Sequence, residues 1–139
     1  MKAASTAGYS GTPLPKKLGL PATGRAVFVD APAHFPKLLG KLPEGLKVLT
    51  KPGADMNYAH VFAQQRSQLQ KHLEQLAPKM AKAGMLWVSW PKKASKVPTD
   101  ITEDVVREIA LPMGLVDVKV CAVDEVWSGL KLVWRLKNR

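Results

Sequence analysis

Five side chains able to grip an anion crowd one short stretch: the ammonium groups of Lys92, Lys93 and Lys96 and the hydroxyls of Ser95 and Thr99. They follow the apolar run Met85-Leu-Trp-Val-Ser-Trp90 and precede Asp100-Ile-Thr-Glu103, which has capping-box spacing with a carboxylate in place of the usual hydroxyl. A strand that empties into a cationic loop and then a helix start offers cations and free backbone amides to a phosphate or carboxylate. Trp90 and Trp127 stand at the ends of apolar runs and could wall such a site, while Tyr9, Ser10, Lys16 and Lys17 of the N-terminal arm could cover it. Asp100, Glu103 and Asp104 already bring negative charge to the same helix start, so the plainer alternative is a self-capped helix beside a solvated lysine loop.

Other chemistry is thinly supplied. His34, His60 and His72 fall in different elements without metal-ligand spacing; His60 reads as a packed strand residue and His72 as a helix surface residue. Cys121 lies in an alternating run, which suits packing rather than nucleophilic catalysis. Asp124 and Glu125 are a conceivable acid and base, yet neighbours on an extended chain point to opposite faces unless a turn brings them together, so a polar hairpin loop is the expectation. The segment Val29-Asp-Ala-Pro-Ala-His-Phe35 holds no glycine, where a dinucleotide or adenosyl-methionine site would place several for close backbone approach. No metal, catalytic residue or cofactor is called for by these residues.

The elements that must position this loop alternate between strand and helix. Arg25–Asp30, Leu46–Thr50, Tyr58–Ala63 and Met85–Trp90 are short apolar runs bounded by Gly and Pro, as buried parallel strands are. Phe35, Leu38, Leu39 and Leu42 have helical spacing within Ala33–Leu42, and Leu69, Leu73, Leu76 and Met80 form a longer stripe that Pro78 should kink and Gly84 should stop. Val105, Val106, Ile109 and Ala110 mark a third helix, ended by Pro112 and Gly114. A single helical turn is expected over Pro15–Leu20, closing at Gly19. Val116, Val118, Val120 and Ala122 then alternate with polar residues, as do Leu130, Leu132, Trp134 and Leu136, which predicts a hairpin with one packed face. The sum is an α/β, three-layer, Rossmann-like domain with a mostly parallel sheet closed by a C-terminal antiparallel hairpin. Residues 1–10 are expected to be a flexible tail and 11–139 one domain, of which 11–24 form the arm.

Composition bounds the rest. At 139 residues, 46% hydrophobic, the chain can bury a single core without a disulfide, and one cysteine could make none. The N-terminus lacks an apolar core of about seven residues or more, so a secretory signal is not expected, and no run approaches the roughly 18 to 20 residues that span a bilayer. A cytoplasmic location is the simplest expectation. Residues 1–99 carry 15 Lys or Arg against 4 Asp or Glu, whereas 100–127 carry 2 against 7, so one region should attract anions and another repel them. Nucleic acid is a weakly supported partner, since Trp90 beside Lys92 and Lys93 is the only aromatic interleaved with cations.

Gly8-Tyr-Ser-Gly-Thr-Pro-Leu14, Lys16-Lys-Leu-Gly19, Leu86-Trp-Val-Ser-Trp-Pro-Lys-Lys93, Thr99-Asp-Ile-Thr-Glu103 and Gly114-Leu-Val-Asp-Val-Lys-Val-Cys-Ala-Val-Asp-Glu-Val-Trp-Ser-Gly-Leu-Lys131 resemble a family of small bacterial proteins catalogued as a domain of unknown function. That resemblance covers nearly the whole chain and implies no activity. More distantly, Leu76-Ala-Pro-Lys-Met-Ala-Lys-Ala-Gly-Met-Leu-Trp-Val88 is similar to the helix, glycine turn and strand in the second half of the adenosyl-methionine-dependent methyltransferase fold, and the closing hairpin fits too. The chain departs from that pattern in lacking the glycine loop after its first strand. The expectation from sequence is a non-enzymatic binder of an anionic small molecule or macromolecular partner; the alternatives are a degenerate or unusual methyltransferase-like enzyme and a weak, charge-driven nucleic-acid binder.

Overall fold

The computed structural model describes residues 12–139. Its centre is a six-stranded sheet of β1 (Thr23–Val29), β2 (Gly45–Leu49), β3 (Met56–Phe62), β4 (Met80–Pro91), β5 (Leu115–Ala122) and β6 (Trp127–Trp134), in the order β2-β1-β3-β4-β6-β5. β1 is parallel to β2 and β3, and β3 to β4; β6 inserts antiparallel between β4 and β5. The expected mostly parallel sheet with a closing antiparallel hairpin is therefore present.

Four helices, α1 (Leu14–Leu18), α2 (Phe35–Leu39), α3 (Arg66–Leu76) and α4 (Glu103–Ala110), cover the two faces. From Tyr58 onward strand alternation sorts β3: Ala59 and Val61 join Leu69, Leu73 and Leu76 of α3 and Val106 and Ile109 of α4, while Tyr58 and Phe62 face Leu18 of α1 and Phe35 and Leu39 of α2; Met56, before a register shift, falls on the α3 side. Helices on both sides of a sheet give the three layers, and the doubly buried strands explain why their sequences read as apolar runs.

Several elements differ from expectation for local reasons. α2 is one short helix, because Pro36 fixes its first turn and Gly40, at φ 71°, ends it. β4 begins five residues before the expected Met85, pairing Met80 with Met56. Gly84 consequently lies inside the strand rather than stopping a helix, and an added Cβ there would meet the Met56 carbonyl oxygen at 2.7 Å. Helix α3 instead ends at the 3-10 turn Ala77–Lys79, where Pro78 sits. The turn over Leu14–Leu18 closes at left-handed Gly19, as expected.

The hairpin packs differently. A register shift between Asp117 and Lys119 interrupts β5, and Val118 and Val120 are 55% and 52% exposed on this edge strand. Leu130 and Leu132 are buried as the alternation requires, but Leu136 lies in a terminal 3-10 turn at 80% exposure. The flexible tail expected over residues 1–10 falls outside the described residues. No helix among the described residues is long and apolar enough to cross a membrane.

Candidate functional site

The chain leaves β1 through α2 to β2 on one side, and leaves β3 through α3 to β4 on the other. The crevice above the carboxyl ends of β1 and β3 is thus the topological switch point, where open α/β sheets bind ligands. A cavity of about 540 Å³ lies there, lined by Asp30, Pro32, Phe62, Ala63, Gln64, Gln65, Gln68 and Trp127. Its size falls in the range that holds cofactors and other small molecules.

Each side of this cleft is anchored. Asp30 ends β1 with a left-handed backbone, φ 57°, which aspartate tolerates better than most residues. Its Oδ2 accepts a hydrogen bond from His72 Nε2 of α3 at 3.0 Å and lies 3.5 Å from Gln68 Nε2. Trp127 meets Phe62 edge-on with ring centroids 5.3 Å apart. The Gln64 carbonyl accepts from Thr99 Oγ1 at 2.6 Å, so the cleft is tied to the lysine loop.

Above the β1 end, His34 Nε2 and Asp124 Oδ2 stand 2.6 Å apart. Asp124 is 7% exposed, and its Oδ1 accepts from the backbone N–H groups of Val126 and Trp127 at 2.8 and 2.7 Å. Asp124 thus takes three donors, the His34 ring among them, and this contact orients the half-exposed imidazole. Asp124 is buried and Glu125 exposed, so the two adjacent acids stand in different environments.

The lysine loop has a cavity of its own, about 560 Å³, lined among others by Trp90, Lys92, Lys93, Lys96, Thr99 and Ser128. Ser95 Oγ donates to the Lys92 carbonyl at 2.7 Å and accepts from Val97 N–H; Thr99 Oγ1 likewise accepts from Ile101 N–H. Both hydroxyls shape the loop. The helix start also differs from the expected capping box: Thr102 caps α4 by accepting from Val105 N–H, whereas Asp100 crosses to α3 and accepts from Arg66 N–H at 2.6 Å. Arg107 pairs with Glu103, Asp104 and Asp117, and these bonds, Asp117 first, raise its pKa. The acids at this terminus are therefore engaged.

Of the residues singled out from sequence, Trp90, Lys92, Lys93 and Thr99 gather at the lysine cavity, with Ser95 structuring its loop, and Trp127 walls the switch-point cleft. Lys16 and Lys17 stand elsewhere, on α1 beside Lys119, Val120, Cys121 and Ala122; Lys17 Nζ donates to the Ala122 carbonyl at 3.1 Å. Tyr9 and Ser10 lie outside the described residues. The three glutamines and the pairing of His34 with Asp124 escaped the sequence reading. Among the described residues no cluster of three or more His, Cys, Asp or Glu could hold a metal ion.

No family model matches the chain, and no curated protein matches it. Solved structures do. An adenosyl-methionine-dependent methyltransferase from Aquifex aeolicus superposes with a TM-score of 0.61 at 16% identity over 84% of this chain and 85% of that one. An O-methyltransferase of neocarzinostatin biosynthesis gives 0.59 at 13% identity, over 82% of this chain and 50% of its own length. A magnesium protoporphyrin IX methyltransferase from Synechocystis gives 0.58 at 11%, covering 88% of this chain and 74% of the other. This is a Rossmann-like α/β domain distantly similar to the methyltransferase fold. Likeness at such identity carries the fold alone.

Proposed function

We propose that the protein is a methyltransferase-like enzyme that holds adenosyl-methionine in the cleft between the carboxyl ends of β1 and β3. The observation that carries this reading is the position and chemistry of that cleft. It lies at the switch point, and it joins one carboxylate, three carboxamides and an aromatic wall. Such a lining suits a nucleoside: Asp30 can accept from ribose hydroxyls or an amino group, Gln64, Gln65 and Gln68 can pair with polar edges, and Trp127 offers a flat apolar surface.

The lining fits the group by side chains rather than by a glycine loop. Pro32 has no amide to donate, and the segment after β2, Thr50-Lys51, offers no acid for a ribose. Asp30, at the end of β1, takes over that task, held in place by His72. The bound group would supply an electrophilic methyl. His34, oriented through Nε2 by Asp124, would accept at Nδ1 the proton that a methyl acceptor gives up. The likeness to methyltransferases supports this reading over the non-enzymatic binder expected from sequence.

Calorimetry with adenosyl-methionine and adenosyl-homocysteine tests it. Binding at micromolar concentration is expected, weakened about tenfold in Asp30→Ala, the size of a lost charged hydrogen bond. No heat with either compound at millimolar concentration overturns the assignment.

A further inference from the structure

We propose that the lysine-lined cavity beside the cleft binds the methyl acceptor, and that this acceptor is an organic anion with an apolar body. The role as acceptor site rests on the adenosyl reading above; the anion chemistry does not.

The cations come first. Lys92, Lys93 and Lys96 line one concavity, and among the described residues none of the three ammonium groups has an acid partner. Glu103 is the only acid in the lining, and its Oε2 is engaged by Arg107 Nη2 at 3.0 Å. Like charges gathered around one concavity repel one another, and a bound anion relieves that repulsion.

The floor decides the second half. Trp90 and Ile101 are almost fully buried beneath the cavity, and the half-buried Val97 and exposed Pro98 give it an accessible apolar base. An inorganic anion would leave that base wetted, whereas an aryl or alkyl carboxylate or phosphate covers it.

The loop is built before any ligand arrives. Ser95 Oγ closes onto the Lys92 carbonyl, Thr99 Oγ1 onto the Gln64 carbonyl, and Lys92 N–H onto the Val126 carbonyl at 2.7 Å. These bonds fasten the cavity to α3's leading segment on one side and to the β5–β6 turn on the other, so little ordering cost remains on binding. The same turn carries Asp124, which orients His34. Thr99 of the cavity donates to the Gln64 carbonyl of the cleft at 2.6 Å, so the two sites adjoin at that contact.

The test is an NMR titration of backbone amides and tryptophan indoles with phenyl phosphate, benzoate, inorganic phosphate and benzyl alcohol. Phenyl phosphate and benzoate should shift the Trp90 indole and the Lys93–Thr99 amides at millimolar concentration, inorganic phosphate less, and benzyl alcohol not at all. Lys92→Gln with Lys93→Gln should weaken the organic anions at least about tenfold while leaving signals of β1 and β3 in place, which shows the variant folded. Absence of a Trp90 response to both organic anions, or a response undiminished in the double variant, overturns the proposal. Failure of adenosyl-homocysteine to shift Trp127 and Gln68 would sink the cofactor reading and with it the acceptor role, while a surviving Trp90 response upholds the organic-anion site. Adenosyl-homocysteine and phenyl phosphate should bind together; mutual exclusion would also remove the acceptor role.

Discussion

His60 shows how much a single buried group can dictate. Tyr58 Oη lies 3.0 Å from its Nδ1 and Ser89 Oγ 2.7 Å from its Nε2, all sealed beneath Phe35, Phe62 and Trp87. Full burial with no acid nearby pushes the imidazole down to about 3 and the Tyr58 phenol well above its usual value. The folded chain thus refuses a proton that the unfolded chain, titrating near 6.5, accepts. Stability from this group is full above about pH 6.5 and is lost as the pH falls toward 3. The His60 ring signals should stay unshifted in NMR spectra down to pH 4.5, and a normal titration near 6.5 would refute the buried neutral state. The packing role of His60 was legible in its apolar run. Its partner Ser89 was not, because that hydroxyl reaches it only through the β3–β4 register, whereas Tyr58 sits two residues before it on the same strand. The partner of Asp124 was hidden by separation along the chain: its histidine lies 90 positions away.

Among the elements, β4 and the segment after it carry the most consequence. β4 runs through Gly84 because that residue lets the Met56 carbonyl approach, and Gly84→Val should force the two strands apart. A loss of about 2 kcal/mol or more in urea unfolding is expected, since overpacking against backbone cannot relax by rotamer change. Thr102 caps α4, and Thr102→Ala should cost about 1 kcal/mol by the same measurement. Asp100, which spacing alone assigns to the same helix, serves α3 instead; Asp100→Ala should therefore deprotect amides at Arg66 and its neighbours, not those at Val105, in hydrogen exchange. Helix stripes and apolar strands were readable because 3.6-residue and 2-residue periods survive any tertiary context. Caps were not, because two helix starts lie side by side and sequence cannot say which one a carboxylate serves. The Val118 and Val120 alternation misled in a different way: an edge strand beyond the last helix has no layer to bury them.

At the scale of the molecule, the order β2-β1-β3-β4-β6-β5 brings the ends of β1, β3 and β4 and the β5–β6 turn to one rim. The strand-and-helix alternation made the fold class legible, and the ligand crevices that such sheets form at strand ends made the lysine loop a reasonable first choice. The cleft itself was not, since locating a switch point needs the strand order, which a linear reading leaves open. α1 completes the molecule from afar: Trp87 Nε1 donates to the Leu18 carbonyl at 2.8 Å across 69 residues. Trp87→Phe should lower the melting temperature by several degrees, as expected for about 1 to 3 kcal/mol from an orphaned buried acceptor and a partly emptied core site in a domain this size.

The four tryptophans make the protein its own optical probe. Trp87 is sealed in the core, Trp90 floors the lysine cavity, Trp127 walls the cleft, and Trp134 of β6 lies under Lys82 Nζ of β4, 5.7 Å away. Variants keeping one indole each would separate the emission of the two neighbouring sites without any label. A quencher or ligand that dims Trp127 and spares Trp90 reports the cleft, and the reverse reports the lysines.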